Sequence, residues 1–561
     1  MKIAELLLLF PIILTAASCG QRQFADLVLK NGKVITIDRL NPRAQAVAIA
    51  GNLIVAVGSD AEIDNYVKTG VTGVIDLKGK MAVPGFNDAH IHFIQAGEAL
   101  ESLNLTGITS YRQMREKVAA RVQESEPGEW IIGRGWDHTL IPGQAWPTRE
   151  ILDEVAPDNP VLLIRIDGHS VLANSYILKE FGITRDTPDP DGGTIVRDPV
   201  TGEPTGILKE NAKGLVKKPS FTPEETGKRK KRHLKLALDQ AIKCGLTSIQ
   251  QLTGDGEYFE ELQKNGELKL RVYLSQPLTD DPEKLARYKK LRQRYKDNPL
   301  INFGALKGFM DGTLGSQTAA LFEPFSDNPS TRGLLTMPVE RMEKLILKAD
   351  RDSFQLAIHA IGTRANHIVL NAFEKAIEAN GKRDSRHRIE HAQILIEDDV
   401  PRFAELGVIA SMQPTHCSTD LNYAEDRLGR QRCRYAYAWK SILSAGGRIA
   451  FGTDCPVEPM NPMEGLYAAV SRKDRAGGQG EGWIPEEKLT MEQAIELYTL
   501  GSAYATFEED IKGSIEAGKL ADMVVLSRDL MQIPEDEIMD TEVVYTIFDG
   551  KVIYENTGLS R

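Results

Sequence analysis

The stretch Val83-Pro84-Gly85-Phe86-Asn87-Asp88-Ala89-His90-Ile91-His92 ends an apolar run with two imidazoles two residues apart. On an extended strand, residues at that spacing share a face, so both rings could bind one ion through two nitrogens. Taken alone the pair reads equally well as a surface or core-satisfied motif. Its meaning depends on what the rest of the chain places beside it.

Downstream of it, from about residue 81 to 507, apolar runs alternate with amphipathic helical patterns, the signature of β/α units and a parallel sheet. Candidate strands are 161–168, 245–252, 268–275, 301–310, 354–360, 387–393, 407–414 and 448–454. Their number suits an α/β fold built on a closed (β/α)8 TIM barrel. The segment 130–220 is rich in Gly, Pro and Asp and fits the repeat poorly, so it reads as an insertion overhanging the barrel mouth. Residues 24–80 and 508–558 alternate short β-branched runs with turns; Asn31-Gly32 and Gly51-Asn52 read as hairpin turns. Neither end has enough strands to cover both faces of a sheet. The two together predict one composite β-sandwich domain, with chain ends meeting around the inserted barrel.

Within the barrel pattern, polar residues fall where strands end. His359 and His391 close apolar runs, as does Asp454 in IAFGTDCPVEP, and Lys307 interrupts an otherwise buried strand. Side chains at the carboxyl ends of barrel strands share one mouth, and charged or imidazole groups there are costly unless paired or metal-bound. That company favours His90 and His92 as metal ligands, joined by His359, His391 and Asp454; a core or helix-cap role for His359 and His391 and an N-cap of the next helix for Asp454 are the plain alternatives. The carboxylate also suits a proton acceptor for an attacking water. If its pKa is depressed, Lys307 could react with carbon dioxide and bridge two ions as a carbamate; a salt bridge to Asp311 or an exposed lysine are the plain alternatives. His367 and His387 lie off the strand ends and read as structural.

The ordered set VPGFNDAHIHF, FMDGTLGSQTAAL, LAIHAIGTRAN, RIEHAQ, FGTDCPV and GSIEAGKLADMVVL resembles the amidohydrolase superfamily, in the branch called amidohydrolase family 3 or the YtcJ-like proteins. The resemblance spans about Asp26 to Tyr554. It implies the barrel with a composite β-sandwich, metal ligands at His90, His92, His359, His391 and Asp454, and an N6-carboxylysine at Lys307. Trp136, Asp167, His169, Glu210 and Asp311 match recurring features of the branch and become substrate-pocket candidates, with packing and turn formation as the competing role. The expected activity is hydrolysis of a C–N bond in a small-molecule amide, N-acyl compound or cyclic amide, by hydroxide on one or two divalent ions, zinc first among them. Asp454 is the catalytic residue. Deamination, ester or lactone hydrolysis on the same core, and a catalytically silent surface binding protein, stay open as alternatives.

Composition narrows the class further. At 561 residues, with 42% hydrophobic and 26% charged residues, the chain is that of a folded protein of more than one core. A net charge of −11 argues against nucleic acid as a partner. The basic run from Lys228 to Lys235 reads as the solvated start of a surface helix. Residues 1–19 place Lys2 before an apolar stretch and end in Leu14-Thr15-Ala16-Ala17-Ser18-Cys19, a lipoprotein-type export signal. The expectation is a bacterial lipoprotein, lipidated at Cys19 and membrane-anchored, facing the periplasm or exterior; a cleaved secreted form is the alternative. Cys244, Cys417, Cys433 and Cys455 show no metal or disulfide spacing. Whether copies assemble into a homo-oligomer is open.

Overall fold

The computed structural model describes residues 24–217, 222–252, 254–478 and 480–560; the expected export signal and Cys19 lie outside the described residues. Eight parallel strands form one sheet in simple sequential order: β1 (Phe86–Ile91), β2 (Leu246–Gln251), β3 (Arg271–Pro277), β4 (Ile301–Phe309), β5 (Gln355–Ala360), β6 (Arg388–His391), β7 (Ile409–Met412) and β8 (Arg448–Phe451). Helices over 256–264, 282–295, 339–351 and 363–380 return the chain between successive strands, as parallel pairing requires. This is the α/β barrel architecture. Its first and last strands meet where Asp454 N–H donates to His90 O at 2.7 Å. Asp88 staples the same seam, accepting from Thr453 N–H at 2.9 Å and Thr453 Oγ1 at 2.5 Å. The approach is so close that a Cβ on Gly452 would lie 2.4 Å from His90 N, so only glycine fits.

Two expectations about strands are corrected. The run at 161–168 forms a strand over Val161–Arg165, but it pairs within a separate six-stranded sheet running from Leu103 to Glu210, and the eighth barrel strand is Phe86–Ile91. The inserted layer therefore begins near residue 103, with its own core around Leu105, Trp136, Leu163 and Ile207. Periodicity could not separate a barrel strand from an inserted one, because both are fully apolar. The second correction concerns Asn31-Gly32. Gly51-Asn52 does close a hairpin, with Ala50 opposite Leu53, whereas Asn31-Gly32 carries the chain from a strand of one sheet (Leu27–Lys30) to a strand of another (Lys33–Ile35). Asn31 has φ +56° there, the left-handed conformation that a tight turn needs in either case.

Chain ends share one sheet: Met81–Pro84 pairs antiparallel with Met523–Leu526, and Lys33–Ile35 lies on its other side. A four-stranded sheet of N-terminal strands packs over it through Leu29, Val47, Ile49, Ala82, Met523 and Ile547. The basic run lies on the helix Pro223–Lys243, where Lys228, Lys231, Arg232 and Lys235 each meet a glutamate.

Candidate functional site

The carboxyl ends of the barrel strands and the inserted layer enclose a cavity of about 100 Å³. His90, His92, Lys307, His359, His391 and Asp454 all line it. At its floor one ligand atom each from His90, His391 and Asp454 lies within 4.8 Å of the others. The Nε2 atoms of His90 and His92 both stand 3.3 Å from Asp454 Oδ1. The rings of His359 and His391 are 4.5 Å apart.

Hydrogen bonds decide which nitrogen of each ring is free. His90 Nδ1–H donates to Glu390 at 2.6 Å and His391 Nδ1–H to Gln413 at 2.7 Å, so the Nε2 lone pairs face the cavity. His359 is reversed: its Nε2–H donates to Gly312 O at 3.1 Å and leaves Nδ1 as acceptor. Burial holds His92, His359 and His391 below the ordinary imidazole range, so these rings are neutral, the form that ligates. Burial alone would raise the Asp454 carboxyl, but His90 and His92 beside it hold it well below the usual range. Neutral imidazoles and an ionised carboxylate converging on one point form a donor set that fits a divalent ion.

Backbone strain accompanies this arrangement. His391 (φ +74°), Ala392 (φ +44°) and Asp454 (φ +58°) occupy the left-handed region without being glycine. Burial pushes the Lys307 ammonium down to about 8, although Glu390 and Asp454 oppose the shift. Its Nζ sits 4.9 Å over the Phe309 ring.

The substrate-pocket candidates divide. Asp167 and His169 line the cavity; Asp167 accepts from Arg165 at 2.7 Å and Ser316 at 2.8 Å, and His169 Nδ1–H donates to Glu210 at 2.8 Å. Glu210 does not line it and acts through His169, from a backbone at φ +48°. Trp136 is fully buried inside the inserted layer, its Nε1–H donating to Leu163 O. Asp311 is fully buried too and accepts from the backbone N–H groups of Ala320, Ile361 and Gly362. For Trp136 and Asp311 the packing and turn role holds, because neither side chain reaches the cavity.

Several residues in or beside the cavity escaped the sequence reading. Glu390 supports His90 from below. Arg165, shared between Asp137 and Asp167, forms the insertion-side wall. His416, on the short helix Pro414–Asp420 after β7, places Nε2 3.7 Å from Asp454 Oδ2. A second histidine-bearing segment after a barrel strand was the available signal for His416, but PTHCSTD carries no apolar run to mark it as a strand end.

A family model described as the amidohydrolase family matches residues 73–554. The chain is 35% identical over 538 residues to a putative amidohydrolase, YtcJ, of Bacillus subtilis, covering 94% of this chain and 99% of that protein. It is 31% identical over 571 residues to an N-substituted formamide deformylase of Arthrobacter pascens, covering 96% of this chain and 99% of that protein. Among solved structures, an uncharacterized metal-dependent hydrolase from Pyrococcus horikoshii superimposes with a TM-score of 0.71 at 27% identity, covering 91% of this chain and 99% of the other. With a barrel of this order, a convergent ligand set and relatives matched over nearly their whole length, the chain belongs to the amidohydrolase family, in its YtcJ-like branch of metal-dependent hydrolases.

Proposed function

We propose that this hydrolase cleaves the C–N bond of a compact, non-peptide amide, with N-substituted formamides the first class to try. The observation that carries the reading is the meeting of His90, His391 and Asp454 in a small cavity at the barrel mouth. At roughly 10–15 Å³ per enclosed water, about 100 Å³ admits a substrate portion of roughly seven to ten non-hydrogen atoms. The formamide class is suggested by the Arthrobacter relative's name. Ile166, Phe309, Leu314, Ile361 and Val457 line the cavity and are available to an N-substituent.

A divalent ion held by His90, His92, His391 and Asp454, with zinc proposed, would supply Lewis acidity and lower the pKa of a water. Asp454 takes a proton from the water as its oxygen adds to the carbonyl carbon. The same carboxyl returns a proton to the leaving nitrogen as the C–N bond breaks, giving a carboxylic acid and an amine. Glu390 and Gln413 keep His90 and His391 in the ligating tautomer. A second ion, shared with His359, is proposed only with Lys307 carboxylated, because an ammonium there would repel it. Incubation with ¹³C-bicarbonate, followed by NMR for a carbamate carbon that Lys307→Ala abolishes, tests that part.

The activity test is a screen of metal-loaded protein against N-substituted formamides, N-acyl amino acids, hydantoins and lactones. Release of amine from a formamide supports the reading; turnover of lactones alone overturns it. We also propose that the protein is exported and anchored through Cys19, supported by the composition of residues 1–19. Processing that globomycin blocks and Cys19→Ala abolishes is the expected result; a soluble, globomycin-insensitive product refutes it.

A further inference from the structure

His416 sits at the cavity wall in an unusual state. Its Nε2 is buried and has no hydrogen-bond partner, the only such side-chain atom among the described residues lining this cavity. Among the other donors of this cavity, Lys307 Nζ lies over the Phe309 ring and several neighbouring groups are engaged. Tyr423 Oη–H and Gln393 Nε2–H both donate to Asp420, Arg165 is divided between Asp137 and Asp167, and Thr419 Oγ1–H donates to Glu458 at 2.9 Å. Leaving a buried polar atom unmade costs about 1–3 kcal/mol, so one that lines a cavity stands available to a group that enters it.

The surroundings define that group. Nε2 of His416 faces Asp454 Oδ2 at 3.7 Å, beyond hydrogen-bond length, and a facing carboxylate favours the tautomer with its proton on Nε2. Its ring lies nearly parallel to that of His391, 14° between planes with centroids 5.8 Å apart, which fixes its aim. Asp454 is thus flanked on one oxygen by His90 and His92 and on the other by a free N–H. Two oxygens on one tetrahedral carbon are spaced to meet a carboxylate and a donor this close together.

Resting on the amide-hydrolase reading, we propose that His416 is a substrate-contacting catalytic residue whose Nε2–H donates to the oxygen of the scissile carbonyl as negative charge develops there, beside the proton acceptor Asp454. Preorganised donors of this kind change kcat far more than substrate affinity.

The test compares His416→Phe, which keeps the ring and removes the donor, with His416→Gln, which retains an N–H near the same place. Metal content, formamide kinetics and binding of methylphosphonate, a tetrahedral oxyanion with no cleavable amide, are measured on each. Expected for His416→Phe are unchanged metal content, kcat lower by about 10²–10³, KM within about threefold, and methylphosphonate binding at least tenfold weaker, with His416→Gln recovering part of both losses. The proposal is overturned if His416→Phe keeps kcat and methylphosphonate affinity within threefold of the parent, or if it loses metal and so marks His416 as a ligand. Should the parent enzyme cleave no amide of the screen, the functional reading fails, and the methylphosphonate titration still decides the role of His416.

Discussion

Glu390 and His391 are neighbours in the chain, yet both reach His90: Glu390 Oε2 lies 2.6 Å from its Nδ1, and the His391 ring is centred 4.9 Å from its ring. A regular strand sends consecutive side chains to opposite faces. The left-handed φ at His391 and Ala392 breaks that alternation, so one residue supports the ligand and the next stands beside it. Glu390 is also the counter-charge of Arg388, at 2.8 Å, and both are fully buried. Burial alone would raise the Glu390 carboxyl, but Arg388 and His90 hold it well below the usual range. Replacing Glu390 by Gln leaves Arg388 uncompensated and weakens the hold on the His90 tautomer. Metal affinity should fall by about 10–100-fold, read by chelator competition, and stability by about 3 kcal/mol or more. An affinity within twofold of the parent would show that Glu390 does not tune the ligand.

Asp311 brackets the loop after β4 to the end of β5, where His359 sits. Its carboxylate takes three backbone N–H groups at 2.8–3.0 Å, and burial pushes its pKa up to about 7 in spite of them. Asp311→Ala strands those donors in the interior. Loss of about 3 kcal/mol in a urea titration is expected, with KM of any surviving activity unchanged. A variant as stable as the parent but with altered KM would return Asp311 to the substrate pocket.

What made the residues that meet in the cavity legible is chemical contrast: an imidazole, an ammonium or a carboxylate at the end of an apolar run stands out in a single sequence. Glu390 has the same contrast but sits one residue before His391, and strict alternation assigns it to the opposite face. Only the strained φ at His391, invisible in the sequence, reconciles the two. His416 lacks the contrast because Pro414 opens a helix after the run 407–414, which places His416 inside that helix and not at the strand's end. Trp136 and Asp311 failed for the converse reason. Both occur in motif-like strings, and a string does not distinguish a side chain that lines a cavity from one that holds the neighbouring loop. The same limit moved Val161–Arg165 out of the barrel, since a buried strand reads alike in either sheet.

Acid should destabilise the metal-free protein. Burial holds His92, His138, His359, His387 and His391 below the ordinary imidazole range, His138 down to about 2. Such groups contribute stability that is complete above their unfolded pKa of about 6.5 and is lost as pH falls toward their folded values, because the unfolded chain takes up protons that the folded one refuses. Asp88 and Asp311, raised to about 6 and about 7, have the opposite sign: their contribution grows as pH falls through those values. Between about pH 7.5 and about pH 5.5, His138, His359 and His391, the rings held furthest down, lose roughly 1.4 kcal/mol each per unit below 6.5 and outweigh Asp88, Asp311 and the raised His169. Chelator-treated protein should therefore melt several degrees lower at the acidic end. A flat or rising Tm would mean that these rings are not held neutral.

Asp454 is the residue whose role separates ligation from chemistry. Its Oδ1 faces two ligand imidazoles at 3.3 Å, while Oδ2 faces the cavity beside His416. Asp454→Asn keeps an oxygen for the ion and removes the basic site that takes a proton from water. Metal content should stay mostly intact while kcat falls by at least about 10³, since general-base catalysis and a correctly charged partner are lost together. The left-handed backbone at Asp454 favours this variant as the cleaner probe, because asparagine tolerates φ near +58° better than alanine does. Retained turnover with full metal content would remove Asp454 from proton transfer. Turnover and metal lost together would make it chiefly a ligand.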